Sequence, residues 1–129
     1  MDALKALKLS RISVATPYTE EINSLEKRFL EENGFVIQKI KGLGIRDNLK
    51  IGEQKPRTVY DLVREVDTAW NDGVFVSCTN LKTIEVISRL EEDLKKPVVS
   101  SNTATLWAML RKIRYVEPVI GWGRLLTML

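Results

Sequence analysis

Four short apolar runs alternate with stretches of helical spacing, and that alternation confines the chain to one class of fold. The runs are Arg11 to Thr16, Phe35 to Ile40, Val74 to Ser77 and Pro97 to Ser100. After the first, Pro17-Tyr18 breaks the strand and Thr19 is placed to cap a helix, with Glu20 and Glu21 favourable against its positive end. Ile22, Leu25, Phe29 and Leu30 recur at helical spacing until Asn33-Gly34 ends the helix. After the second run, Gly42 and Gly44 open a loop that passes Asn48 and reaches Pro56. Thr58 then caps a helix with the stripe Tyr60, Val63, Val66 and Trp70, followed by the turn Asn71-Asp72-Gly73. The third run lacks polar alternation, as expected for a strand covered on both faces. Beyond it, a helix starting near Asn80 carries Ile84, Ile87, Leu90 and Leu94. Ser101-Asn102 caps a last helix with Leu106, Leu110 and Ile113.

This order predicts an α/β fold: a four-stranded parallel sheet with right-handed crossovers and helices on both faces. In such sheets ligands bind beyond the carboxyl ends of the strands. Those ends are Pro17-Tyr18-Thr19, the Gly42 to Asn48 loop, Cys78-Thr79-Asn80 and Ser100-Ser101-Asn102. They are rich in hydroxyls and amides and include the chain's one thiol.

With 129 residues the chain suits a single domain. It has no histidine, which removes His-based triads and the usual zinc sites. Its net charge of +3 is spread along the sequence, so a solvated surface is expected rather than a nucleic-acid interface. No apolar run is long enough for a membrane span, so no membrane association is expected. Met1 to Ser10 lacks an apolar core and a cleavage site, and a single cysteine suits a reducing compartment; the expected location is cytoplasmic.

Cys78 has two readings. It is either a buried small hydrophobe or a reactive thiol at the start of a helix, where backbone N–H groups and the helix dipole would favour a thiolate. Tyr18 is either a half-buried aromatic or a phenol that hydrogen-bonds a substrate carboxylate. Asn48, Asn80 and Asn102 serve turns and caps or a site. Their convergence on one sheet edge is what favours a site.

The two ends stand outside the scheme. Residues 3 to 9 look like the remnant of a helix, and the apolar tail, residues 115 to 129, is expected to pack on a partner or interface.

Several ordered motifs carry a resemblance. They are Thr16-Pro17-Tyr18-Thr19, Ser77-Cys78-Thr79-Asn80-Leu81 with Thr83, Leu90-Glu91, and Pro97-Val98-Val99-Ser100-Ser101-Asn102 with Ala104-Thr105 and Trp107. With the closing Gly121-Trp122-Gly123-Arg124-Leu125-Leu126, they resemble the second half of the arylmalonate decarboxylase and maleate cis–trans isomerase group of the aspartate/glutamate racemase superfamily. The resemblance implies a flavodoxin-like half of a two-half fold with the active site between the halves. It implies that Cys78 delivers or takes a proton next to a carboxylate, with no cofactor and no metal. Tyr18 would help hold the substrate carboxylate, Asn48 would be an active-site asparagine, and Thr79 would offer its amide, with Asn80 beside it. The substrate would be a small dicarboxylate or a malonate. The first half of that architecture has no counterpart in this sequence. The rest of the site would come from that missing half or from a second copy; otherwise the chain is a non-catalytic, homo-oligomeric or protein-binding relic.

Overall fold

A computed structural model describes all residues, Met1–Leu129. Its centre is β1 (Arg11–Thr16), in which every residue after Arg11 is buried. β2 (Val36–Gly42) and β3 (Gly73–Val76) flank β1, and β4 (Val98–Ser100) lies beyond β3. Every pairing is parallel and the order is β2-β1-β3-β4, as the alternation predicts.

The pleat sends successive β1 residues to opposite faces. On one face Ile12, Val14, Val99 and Leu30 pack with residues of α1 (Asp2–Ala6), α2 (Glu20–Glu32) and α6 (Ser101–Lys112). On the other, Ala15, Val74, Val76 and Val98 pack with Val59, Leu62, Val63 and Val66 of α4 (Pro56–Val66) and with Ile87 and Leu90 of α5 (Ile84–Leu94). Two apolar clusters thus sandwich one sheet, which is why its strands read as apolar runs. At the amino edge, Lys96 Nζ bonds Asp67 Oδ1 at 3.0 Å and Asn71 Oδ1 at 2.6 Å. The charged groups there serve the fold.

Several boundaries differ from the sequence expectation. β2 starts after Phe35 and runs on through Lys41 and Gly42, which pair with Ala15 and Thr16. The expected loop from Gly42 to Pro56 contains a further helix, α3 (Asn48–Glu53), whose cap Asp47 accepts from Leu49 N at 2.8 Å. α4 starts at Pro56, not after Thr58, because proline needs no partner for its missing N–H in a first turn. Trp70 lies beyond α4 and is exposed, so it is not part of the apolar stripe. The last helix is capped by Ser100, not Ser101: Ser100 Oγ accepts from Thr103 N at 3.0 Å, and Ser100 N donates to Thr103 Oγ1 at 3.0 Å. Strand thus passes into helix without a loop.

The ends fold into the same body. Ala3 and Leu4 of α1 are buried in the second cluster. Within the tail from residue 115, Leu125 and Leu126 are each 1% exposed and seated in the chain's own core. Glu91 holds the tail there: Oε1 accepts from Val98 N and Oε2 from Arg124 N at 2.8 Å. Gly123, at φ +102, lets the chain pass Ile87, where a β-carbon would lie 2.7 Å from Cγ2. Val116, Ile120 and Trp122 remain exposed. No helix is long and apolar enough to cross a membrane.

Candidate active site

The carboxyl ends of β1 and β3 bring Tyr18 and Cys78 together. At the end of β1, Thr16 is fully buried and its hydroxyl donates to Asn23 Oδ1 at 2.5 Å. Tyr18 N donates in turn to Thr16 Oγ1 at 3.1 Å. The segment after β2 closes over this turn: Gly44 N donates to Tyr18 O at 3.0 Å and Ile45 N to Pro17 O at 2.9 Å. Gly42 makes the approach possible, since a β-carbon there would lie 2.1 Å from Tyr18 O. Tyr18 is thereby held on both sides before its ring enters the site.

Cys78 follows β3 and has φ 101, a region that favours glycine. A non-glycine residue held there carries backbone strain of about 1–3 kcal/mol, which surrounding bonds must sustain. Those bonds are visible. Ser77 N donates to Ala15 O at 2.9 Å, Cys78 N donates to Ser101 Oγ at 3.1 Å, and Asn102 Nδ2 donates to Thr79 O at 3.0 Å. The side chain of Cys78 is half-buried and free of any disulfide.

The helix expected to start near Asn80 begins instead at Ile84, after its cap Thr83. It therefore lends no dipole to Cys78. The residues between, Thr79 and Asn80, are exposed in a turn. Asn80 Nδ2 donates to Asn48 O at 2.5 Å, so two of the expected site residues touch. Gly52 leaves room for that contact, because a β-carbon there would lie 3.3 Å from the Asn80 amide. Asn80 thus ties α3 to the Cys78 turn. Asn48 opens α3 as an exposed residue.

The electrostatics single out Tyr18. Its phenol is pushed up to about 12, first by burial, then by the adjoining Cys78 thiol; the Ser77 hydroxyl opposes this, and the charge of Glu26 adds to it. Glu26 lies on α2 and was not anticipated. Burial raises its carboxyl above the ordinary range, while the Ser77 hydroxyl favours its charged form. The helical spacing Asn23, Glu26, Leu30 is the signal that could have found it, since both neighbours in that row are buried. Ser101 is the second functional neighbour first read only as a cap. No three His, Cys, Asp or Glu side chains converge in a way that could hold a metal ion.

One sheet edge therefore presents a thiol, a phenol kept protonated, two asparagines and the backbone amides of a strained turn. Groups of this kind can exchange a proton with a carbon acid and hydrogen-bond a carboxylate.

The family model described as arylmalonate decarboxylase matches residues 1–126. Maleate isomerase of Pseudomonas putida is 31% identical, over 98% of this chain and 51% of its own length. Arylmalonate decarboxylase of Bordetella bronchiseptica is 34% identical, over 86% of this chain and 47% of its own length. The solved structure of maleate cis-trans isomerase of Nocardia farcinica bound to TRIS superposes with a TM-score of 0.94 at 28% identity, covering 98% of this chain and 52% of that one. A cysteine-to-serine mutant of the same enzyme, with a covalently bound succinylcysteine intermediate, also superposes at 0.94, with 27% identity and the same coverage. The chain spans about half the length of the curated relatives it matches.

Proposed function

The chain belongs to the arylmalonate decarboxylase family, and from that premise we propose that it forms the Cys78-bearing wall of a cofactor-independent proton-transfer site acting next to a carboxylate. The substrate class is a small dicarboxylate or a malonate, and the location is cytoplasmic. Cys78 is the proton donor or acceptor. Protonating an enediolate carbon would form a C–H bond as the S–H bond breaks. Tyr18, Asn48 and the Thr79 turn supply the hydrogen bonds to the carboxylate and to developing charge.

One observation carries this reading: Tyr18 and Cys78, sixty residues apart in sequence, meet at the carboxyl edge of the sheet, and Cys78 sits there in a strained conformation. Packing alone has no use for a cysteine at φ 101, which glycine would adopt more easily. A phenol that stays protonated can donate to an anionic carboxylate at any physiological pH.

The remaining wall comes from a companion of the kind that makes up the other half of the relatives. Two exposed apolar rows support this: Ile22, Leu25 and Phe29 on α2, and Leu106 and Met109 on α6 with Ile113 at its carboxyl cap. Both helices lie in one layer, on the same face of the sheet. Apolar rows of this kind mark protein contacts.

The test mixes the chain with the half of the Nocardia farcinica relative that it does not match and follows conversion of maleate to fumarate by absorbance. Turnover that Cys78→Ser abolishes supports the reading. No turnover by the folded mixture, together with no decarboxylation of an arylmalonate, overturns it. A non-catalytic, homo-oligomeric or protein-binding domain is the second reading, and the same exposed rows favour it. A dimer in light scattering without turnover would decide for it.

A further inference from the structure

The outermost strand of the sheet ends beside a cavity that the proposed chemistry does not use. The cavity holds about 400 Å³ and lies between the carboxyl end of β2 and the first two turns of α2. β2 and β3 flank β1 on opposite sides, so this space is separate from the turn that follows β3, and Cys78 is not among its walls. Tyr18, at the end of β1, is the one expected site residue that lines it.

Asn23 supplies its most buried polar group. That side chain is 6% exposed. Its Oδ1 accepts from the Thr16 hydroxyl at 2.5 Å, whereas its Nδ2 donates to no group of the protein. Every enclosed side-chain nitrogen or oxygen in this chain has a hydrogen-bond partner. The unpaired Nδ2 is therefore not enclosed: it opens into the cavity that Asn23 lines. Gly42 leaves the donor uncovered, since a β-carbon there would lie 2.7 Å from Nδ2. A largely buried amide with a donor to spare favours an acceptor that arrives from outside.

Charge selects the kind of acceptor. Glu20, Asn23, Ser24 and Lys27 recur at three- and four-residue spacing, so they share the face of α2 that walls the cavity. Ser24 spends its proton on Glu20 O at 2.9 Å. Lys27 Nζ lies 3.7 Å from Glu31 Oε1, a loose exposed pair that leaves ammonium protons free. Lys41, on the β2 side, is bound to Glu65. The charged lining residues are thus two lysines and one glutamate, an excess of one positive charge. A group with two acceptor oxygens and one negative charge can take Asn23 Nδ2 and Lys27 Nζ together.

We propose that this cavity is a binding site for a small monocarboxylate, held by the Asn23 amide and the Lys27 ammonium. The site is linked to Tyr18, because the same Asn23 side chain holds the Thr16 hydroxyl, which accepts from Tyr18 N at 3.1 Å. It stands apart from the reading of Cys78, since its test needs neither turnover nor the thiol.

Amide NMR spectra of the chain are recorded while sodium propionate is added at constant ionic strength. The expected result is a saturable shift of the Asn23 side-chain amide and of the Gly42 and Gly44 backbone amides, with Tyr18 N–H following. Lys27→Met should weaken binding about fivefold. Asn23→Asp keeps the acceptor for Thr16 but places a negative charge where the donor was, and should abolish binding. Propionamide, which has the same carbon body without the charge, should leave the spectrum unchanged. No saturable shift, an equal response to sodium chloride, or equal binding of propionamide overturns the proposal. The same shifts on raising the protein concentration without propionate would place the carboxylate on a second copy, and overturn the assignment to a small molecule. Should Asn23→Asp fail to fold, Lys27→Met decides alone, because its side chain is on the surface; wild-type affinity in that variant overturns the proposal.

Discussion

Gly42 and Tyr18 are in direct backbone contact: a β-carbon on Gly42 would lie 2.1 Å from the Tyr18 carbonyl oxygen, 2.7 Å from Asn23 Nδ2 and 2.8 Å from Thr16 Oγ1. The last residue of the edge strand thus sets the path of the turn that carries the phenol. Gly42→Ala should destabilise the fold by about 3 kcal/mol, because the clash is with backbone and a buried hydrogen-bonded pair that cannot move aside. Urea unfolding of the variant beside the wild type measures this, and an unchanged midpoint would show that the contact yields easily.

Cys78 carries backbone strain that glycine would not. Cys78→Gly should therefore be more stable than Cys78→Ala by about 1 kcal/mol, although both lose the thiol and with it any proton transfer. Equal melting temperatures for the two variants would mean that the positive φ costs nothing here.

Asn80 holds the amino end of α3 through the Asn48 carbonyl. Asn80→Ala removes that bond, with a local loss of about 1 kcal/mol. Amide exchange across Asn48 to Glu53 should speed up several-fold while exchange in β1 and β3 stays as it was. Uniform acceleration throughout the chain would place the effect in global stability instead.

Asp72 accepts three bonds on Oδ2, from Arg11 N at 2.9 Å, Ser10 N at 3.0 Å and Ser10 Oγ at 2.9 Å. The backbone bonds from Arg11 and Ser10, in that order, lower its pKa from the ordinary 3.8. A lowered acid gives stability that is fully present above the unfolded value and is lost as pH falls through the folded one. Asp72→Asn should therefore weaken the protein at pH 7 and flatten its acid limb below pH 3.8. Denaturation midpoints at pH 7 and pH 3 provide the check: the gap between wild type and variant should narrow at the lower pH.

Leu126 is 1% exposed in the cluster that also holds Trp107. Leu126→Ala should cost about 2–5 kcal/mol, as for other large core residues cut to alanine. A smaller loss, under about 0.5 kcal/mol by urea unfolding, would mean that the tail is docked only weakly on its own domain.

The alternation of apolar runs and helical stretches was enough to read the parallel sheet and to place Tyr18 and Cys78 at its carboxyl edge. Strand residues such as Val14 and Val76 are buried from both sides, so their pattern is local and plain. Helix starts were less legible. Ser100 rather than Ser101 caps α6 because of a capping box with Thr103, and α5 starts four residues beyond Asn80. Both depend on which hydroxyl has an amide within reach, and a sequence does not show that. α3 was missed because its short span between Gly44 and Pro56 has too few apolar positions to set a period.

The amino-acid sequence by itself determined the layers, the strand polarity and the chemical types at the edge, since these follow from periodicity and from the absence of histidine. Only the tertiary structure decided which of those residues act on one another. The fit of Gly42 against Tyr18, the positive φ of Cys78 and the bond from Cys78 N to Ser101 Oγ depend on how β1, β2, β3 and α6 approach within a few ångströms. The same holds for the tail, whose Leu125 and Leu126 are seated in the chain's own core by Glu91 and Gly123. Hydrophobic patterning is carried by single segments, whereas site geometry arises from close packing between segments distant in sequence.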